Sequence, residues 1–204
     1  MIKSEIHGIF PVPLYRSKLS RKFTKTELHF IEKMRAKSKP NMGNTTSSDS
    51  YILNRRSFSI LKKEIDLFIE DYFAKIIFPP KGISPYITQS WLNYTEINEH
   101  HHPHHHQNSY LSGILYIAAD KDYDNVTFGH NDYKQISIHP TQGNEFNSFL
   151  LNFPVETGEI LMFPASLMHK VAMKKGKNSR ISLSFNVFIK GNLGQAHELN
   201  ELKL

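Results

Sequence analysis

A chain of 204 residues that is 39% hydrophobic and 22% charged can bury a substantial core, and a single globular domain is expected. The absence of Cys excludes a disulfide scaffold, a thiolate zinc site, an iron-sulfur cluster and a cysteine nucleophile, so any metal must be held by His and oxygen. The net charge of +6 is uneven, with 14 Lys and Arg against 4 Asp and Glu in residues 1–63 and 11 against 15 in residues 64–204.

The segment Ile9-Phe10-Pro11-Val12-Pro13-Leu14-Tyr15 is apolar, and its prolines keep it extended and off a central ladder position, which predicts an edge strand. Thr24-x-x-Glu27 has the form of a capping box ahead of Leu28, Ile31 and Met34, whose spacing predicts a helix of about three turns with these residues on one face. The polar tract 38–50 lacks periodicity and predicts a mobile loop. Leu61, Ile65, Phe68, Tyr72 and Ile76 recur every three or four residues and predict a second helix, stopped by Phe78-Pro79-Pro80-Lys81-Gly82. From Tyr86 the period changes to two, with strands predicted at about 86–94, 110–118, 134–138, 148–152, 158–163, 169–173 and 180–190. Together these predict a mainly β fold of the α+β class, with two N-terminal helices packed outside an antiparallel sandwich or barrel. Residues 1–82 form the supporting part, 83–190 the β core and 191–204 a tail of the one expected domain. Glu5 and the lack of an apolar run of roughly 7–15 residues speak against a signal peptide. No stretch approaches the ~18 apolar residues of a membrane span, and a soluble, cytoplasmic protein without a membrane partner is expected.

Six of the twelve histidines lie within His100-His101-His102-Pro103-His104-His105-His106. In extended chain alternate side chains share a face, so His104 and His106 can chelate one ion, as can His102 and His104. A solvent-exposed His-rich loop is the other reading. Farther on, Gly158 to Pro164 reads as turn, strand and stop, and His169 follows. The strand from Arg180 places Arg180, Ser182, Ser184 and Asn186 on one face and Ile181, Leu183, Phe185 and Val187 on the other. If helices cover the apolar face, the polar set points inward, and an inward Arg requires an anion. A carboxylate ligand would meet that need, with Ser182 as a second donor; a wet sheet face is the alternative.

The order of His-x-His before Ser112-Gly113-x-x-Tyr116, a distant His after Gly158-x-x-x-x-Phe163-Pro164, and Arg180-x-Ser182 resembles the iron(II)- and 2-oxoglutarate-dependent oxygenases with a double-stranded β-helix, the jelly-roll or cupin-like fold. Trp91-Leu92-Asn93, His104 to Gly113, Arg180 to Asn186 and the opening Phe10-Pro11-Val12-Pro13-Leu14-Tyr15 resemble more narrowly a small family of such oxygenases common in marine bacteria and their phages. The resemblance implies Fe(II) held by His104, His106 and His169. It implies that Arg180 and Ser182 grip the distal carboxylate of 2-oxoglutarate, with Tyr116 as a third contact and Asn93 in the pocket wall. One departure is His106, which stands where the superfamily usually has a carboxylate. A three-His set leaves the iron charge to be balanced by the dianionic cosubstrate, and His102 is the rival ligand. His100, His101 and His105 are expected to lie outside the ligand set.

The implied activity is a dioxygenase that converts 2-oxoglutarate to succinate and CO2 while hydroxylating a second substrate, a small molecule or a protein side chain. A cupin-like metal protein without 2-oxoglutarate chemistry is one alternative. A non-catalytic structural protein whose basic first third meets nucleic acid is another, although those Lys and Arg are scattered rather than interleaved with stacking aromatics. Residues 38–50 and 119–133 are expected to border the pocket mouth.

Overall fold

The computed structural model describes residues 2–129 and 138–204. The first strand, β1 (Tyr15–Lys18), begins where the two prolines end, so the expected strand over 9–15 shifts toward the C-terminus. Pro11 and Pro13 cannot donate to a ladder, and Phe10 adopts φ 57°, which breaks an extended run. Helix α1 (Lys25–Arg35) carries the expected capping box: Glu27 N–H donates to Thr24 Oγ1 at 3.2 Å, and Thr24 N–H donates to Glu27 Oε2 at 2.7 Å. Leu28 remains exposed, contrary to its expected place on the packed face. Glu27 takes the buried position instead, because Arg21 neutralises it through two bonds of 2.8 and 2.7 Å.

The tract 38–50 is not a loop. It forms a hairpin of β2 (Ser38–Pro40) and β3 (Thr45–Ser47), turned at Gly43 with φ 94°. Its polar residues serve the neighbouring strand β4 (Ser84–Thr95): Thr46 Oγ1 donates to the Leu92 carbonyl, and Leu92 N–H donates to Ser47 Oγ. Helix α2 (Ser59–Tyr72) buries Leu61, Ile65, Ile69 and Tyr72. It ends through a π turn over Phe73–Ile77 and Phe78 in the left-handed conformation, φ 49°, directly before Pro79 and Pro80. No helix among the described residues is long and apolar enough to cross a membrane.

The remaining strands are β5 (His101–His104), β6 (Leu111–Ala118), β7 (Asn125–Gly129), β8 (Leu150–Pro154), β9 (Glu159–Pro164), β10 (Met168–Val171), β11 (Arg180–Lys190) and a C-terminal pair, β12 (Asn192–Leu193) and β13 (Leu202–Lys203). They form a major sheet in the order β1-β9-β6-β11-β4-β3-β2 and a minor sheet in the order β5-β10-β7-β8. β5 and β7 were not anticipated, and the strand expected at 134–138 lies outside the described residues, apart from Ile138, which carries no strand.

Both helices pack on the outer face of the major sheet. Ile31, Leu61, Ile65 and Ile69 join Leu92, Tyr94, Leu115, Leu183 and Val187 in one apolar cluster, and Tyr94 OH donates to the Ile31 carbonyl at 2.8 Å. The inner face packs against the minor sheet through Tyr116, Val126, Phe128, Leu161 and Phe163. The alternation of β11 is therefore used as the sequence implied, with the odd residues under the helices and the even ones toward the space between the sheets. This is a double-stranded β-helix with two helices on its outside.

Gly113 on β6 pairs with Phe185 on β11, and a Cβ at position 113 would stand 2.0 Å from the Phe185 ring. Gly113→Ala is expected to force the ring from its place and cost about 1–3 kcal/mol. Thermal unfolding should show a fall of roughly 2–4 °C per kcal/mol in a chain of this size. An unchanged Tm would show that the ring relocates without strain.

Candidate metal centre and anion pocket

β5 and β10 are antiparallel neighbours, and their register sets His104 directly opposite His169. Their ring centroids lie 4.2 Å apart. His106, two residues beyond the end of β5, is held by its N–H donating to the Ala165 carbonyl at 2.9 Å, and its ring stacks on His169 at 5.3 Å. One ring nitrogen from each of His104, His106 and His169 falls within 4.8 Å of the others. Two of the rings are oriented in the same way: Nδ1–H of His104 donates to the His102 carbonyl at 2.8 Å, and Nδ1–H of His169 to the Leu167 carbonyl at 3.1 Å. A carbonyl can only accept, so Nδ1 carries the proton and the Nε2 lone pair is left for a metal.

Burial keeps these rings neutral. It is the largest cause of the lowered pKa in each: His101 falls to about 2, His169 to about 3 and His106 to about 4, and His104 is lowered as well. Neighbouring histidines add repulsion to these falls. An unfolded chain protonates its histidines near pH 6.5, so between that value and the lowered ones the unfolded state binds more protons than the native state. The ligand-free protein is therefore expected to lose stability as the pH falls from about 6.5 toward 4. Urea midpoints over that range should drop more steeply in the parent than in His169→Gln, and parallel curves would refute a neutral cluster.

Arg180 opens β11 and is 3% exposed. Its Nη1–H donates to the Asn125 carbonyl at 3.2 Å, its Nε is buried without a partner, and among the described residues no carboxylate forms an ion pair with it. Burial lowers its pKa, opposed by Tyr116 and Asp124. Ser182 stands across from Asn93 on β4 and from Tyr116 on β6, so the four residues expected to hold an anion occupy adjacent strands. All four line one cavity with His104, His106 and His169. Asn93 donates through Nδ2 to Ser184 Oγ at 3.0 Å and leaves a buried Oδ1 unpartnered.

The sequence reading missed Trp91, whose ring lies 5.7 Å from that of His106, and His101, which lines the same cavity. Val126 of the apolar wall was missed with β7, although the alternation of Val126 and Phe128 was a signal. His102 stands apart from the cavity lining, while His100 and His105 are exposed. A buried ion pair secures the approach to Arg180. Lys174 Nζ donates to Asp124 Oδ1 at 3.0 Å and to Asn178 Oδ1 at 2.9 Å, while its backbone bonds to Asn98 and Glu99.

A double-stranded β-helix whose sheets enclose three histidines able to hold a metal ion, beside a buried Arg with an unpartnered Nε, is suited to a non-haem metal site. Residues 89–186, from β4 to β11, match the family described as "Putative 2OG-Fe(II) oxygenase". That match, over the strands that carry the site, supports the superfamily of 2-oxoglutarate- and iron(II)-dependent oxygenases, enzymes whose cofactors are Fe(II) and 2-oxoglutarate. Among solved structures, HygX from Streptomyces hygroscopicus with nickel, 2-oxoglutarate and hygromycin B bound superposes with a TM-score of 0.59 at 10% identity, over 86% of this chain and 82% of that one. The non-haem alpha-ketoglutarate-dependent epimerase SnoN from nogalamycin biosynthesis gives 0.60 at 12% identity, over 88% and 81%. A prolyl-4-hydroxylase from Pseudomonas putida gives 0.54 at 10%, over 86% and 92%. Likeness at such identities concerns the fold. No curated protein matches the chain.

Proposed function

We propose that the enzyme couples the oxidative decarboxylation of 2-oxoglutarate to the hydroxylation of a second substrate, a small molecule or a protein side chain. Arg180 carries this reading. A buried guanidinium with no carboxylate partner among the described residues, in the same cavity as a histidine triad, suits an acid whose far end is anionic and whose near end reaches a metal. His104, His106 and His169 would hold Fe(II) through ring nitrogens, and Arg180, Ser182 and Tyr116 would hold the distal carboxylate, with Asn93 in the wall.

The donor set fits the group. Three neutral imidazoles leave the charge of the ion intact, Arg180 adds another positive charge, and among the described residues no Asp or Glu lines the cavity. A dianionic cosubstrate offsets much of that excess, which suits a ligand set that holds no carboxylate among the described residues. When bound, iron(II) and 2-oxoglutarate supply the oxidation, in which O2 is consumed and succinate and CO2 are formed. The protein's residues perform the supporting work. The Leu167 and His102 carbonyls fix the ring orientations, and Val126, Phe163 and Ile114 keep the cavity wall apolar.

Anaerobic titration of metal-free protein with iron(II) and then 2-oxoglutarate tests the reading. A visible charge-transfer band that requires both additions is expected. Iron that binds without a band on adding 2-oxoglutarate would favour the cupin-like alternative.

A further inference from the structure

The histidine tract holds more ligands than one ion needs. His101, His102 and His104 also bring one ring nitrogen each within 4.8 Å of one another, with ring centroids 4.4 Å apart for His101 and His104, 4.9 Å for His102 and His104, and 5.2 Å for His101 and His102. His102 Nδ1 is buried and has no hydrogen-bond partner among the described residues. The one bond found on the His101 ring among the described residues is a long 3.4 Å contact from the Asn41 amide, which an ion would readily replace.

We propose that His101, His102 and His104 form a second transition-metal seat, alternative to the seat of His104, His106 and His169. The shared residue makes the two exclusive. His104 spends Nδ1 on the His102 carbonyl and has only Nε2 to give, so an ion at one seat takes that nitrogen from the other. The seats differ in access: the first contains buried His169, and the second is made of half-buried rings only. Three imidazoles without a carboxylate favour zinc, nickel and copper over iron(II) at either seat, and the first seat alone has all three ligands in the cavity that also holds Arg180. The second seat therefore captures a borderline divalent ion without the help of an anionic cosubstrate and, while occupied, withholds His104 from iron.

Calorimetric titration of the metal-free full chain with zinc(II) alone tests this, with no iron, 2-oxoglutarate or oxygen, so its failure is separate from failure of the oxygenase reading. His106→Ala/His169→Ala removes two ligands of the first seat and leaves the second complete. This variant is expected to bind one zinc, and adding His101→Ala and His102→Ala should weaken that binding at least 30-fold. Equal affinity in the double and quadruple variants, whether tight or weak, would overturn the proposal, since His100 and His105 remain in both. The parent chain should bind one zinc tightly; two tight equivalents would overturn the shared ligand. Gln in place of Ala at the same positions repeats the comparison should an Ala variant fail to fold.

Discussion

Arg180→Met is expected to raise the Tm of the ligand-free protein and to weaken 2-oxoglutarate binding at least ~30-fold, roughly 2 kcal/mol. The two effects have one origin. In the ligand-free protein the guanidinium is buried with a single 3.2 Å bond to a backbone carbonyl and an orphaned Nε. Replacing a buried unpaired charge by an apolar side chain of similar length removes a desolvation cost on the order of a few kcal/mol, less about 1 kcal/mol for the Asn125 carbonyl left without its donor. The net gain corresponds to a few degrees, at about 2–4 °C per kcal/mol. With 2-oxoglutarate present the sign reverses, because the carboxylate would enter a pocket stripped of its cation. Differential scanning calorimetry with and without 2-oxoglutarate and a metal ion reads both effects. A lowered Tm together with unchanged binding would remove Arg180 from the anion site.

His169→Ala is expected to abolish the charge-transfer band and to cut succinate formation by more than ~100-fold. Loss of an outer hydrogen-bond partner of a metal ligand already costs about 10–100-fold, and loss of a ligand costs more. His169 is the buried member of the triad, and among the described residues no other His, Asp or Glu completes a triad with His104 and His106. Metal content alone is a poor readout, since the tract keeps the second seat. Succinate release and the band report the productive one. His105→Ala, an exposed neighbour in the same tract, serves as control and should leave both intact. A band that persists in His169→Ala would move the metal to another ligand set.

Where sequence pattern and environment agree, the chain was readable in advance. Thr24 and Glu27 make both capping bonds, the apolar spacing of α2 is the face it buries, and the alternation of β11 separates helix-facing from cavity-facing residues. His104, His106, His169, Arg180, Ser182, Tyr116 and Asn93 were each singled out, and the fold gathers them around one cavity. The misses share a cause, which is polar residues satisfied by tertiary partners. Thr46 and Ser47 look like loop residues until β4 supplies their hydrogen bonds. β5 is hidden because histidines and Pro103 carry no strand signature, so the second triad within it was hidden as well. Glu27 buries where Leu28 was expected because Arg21, far from it in pattern but adjacent in space, removes the cost of its charge.

The Lys174–Asp124 pair has a mechanical meaning. Three connections meet at it: residues 96–99 through the Lys174 backbone, residues 119–124 through Asp124, and residues 172–179 through Lys174 and Asn178. Each connection taken alone is a short surface turn with little apolar anchorage. Because the ion pair has both side chains 1% exposed, freeing residues 119–124 or 172–179 alone strands a charge in the interior, and residues 96–99 are tied to them by two backbone bonds. That corner of the molecule behaves as a single latch. Arg180 donates to the carbonyl of Asn125, the residue that follows Asp124, so the guanidinium is carried on a rigid mount.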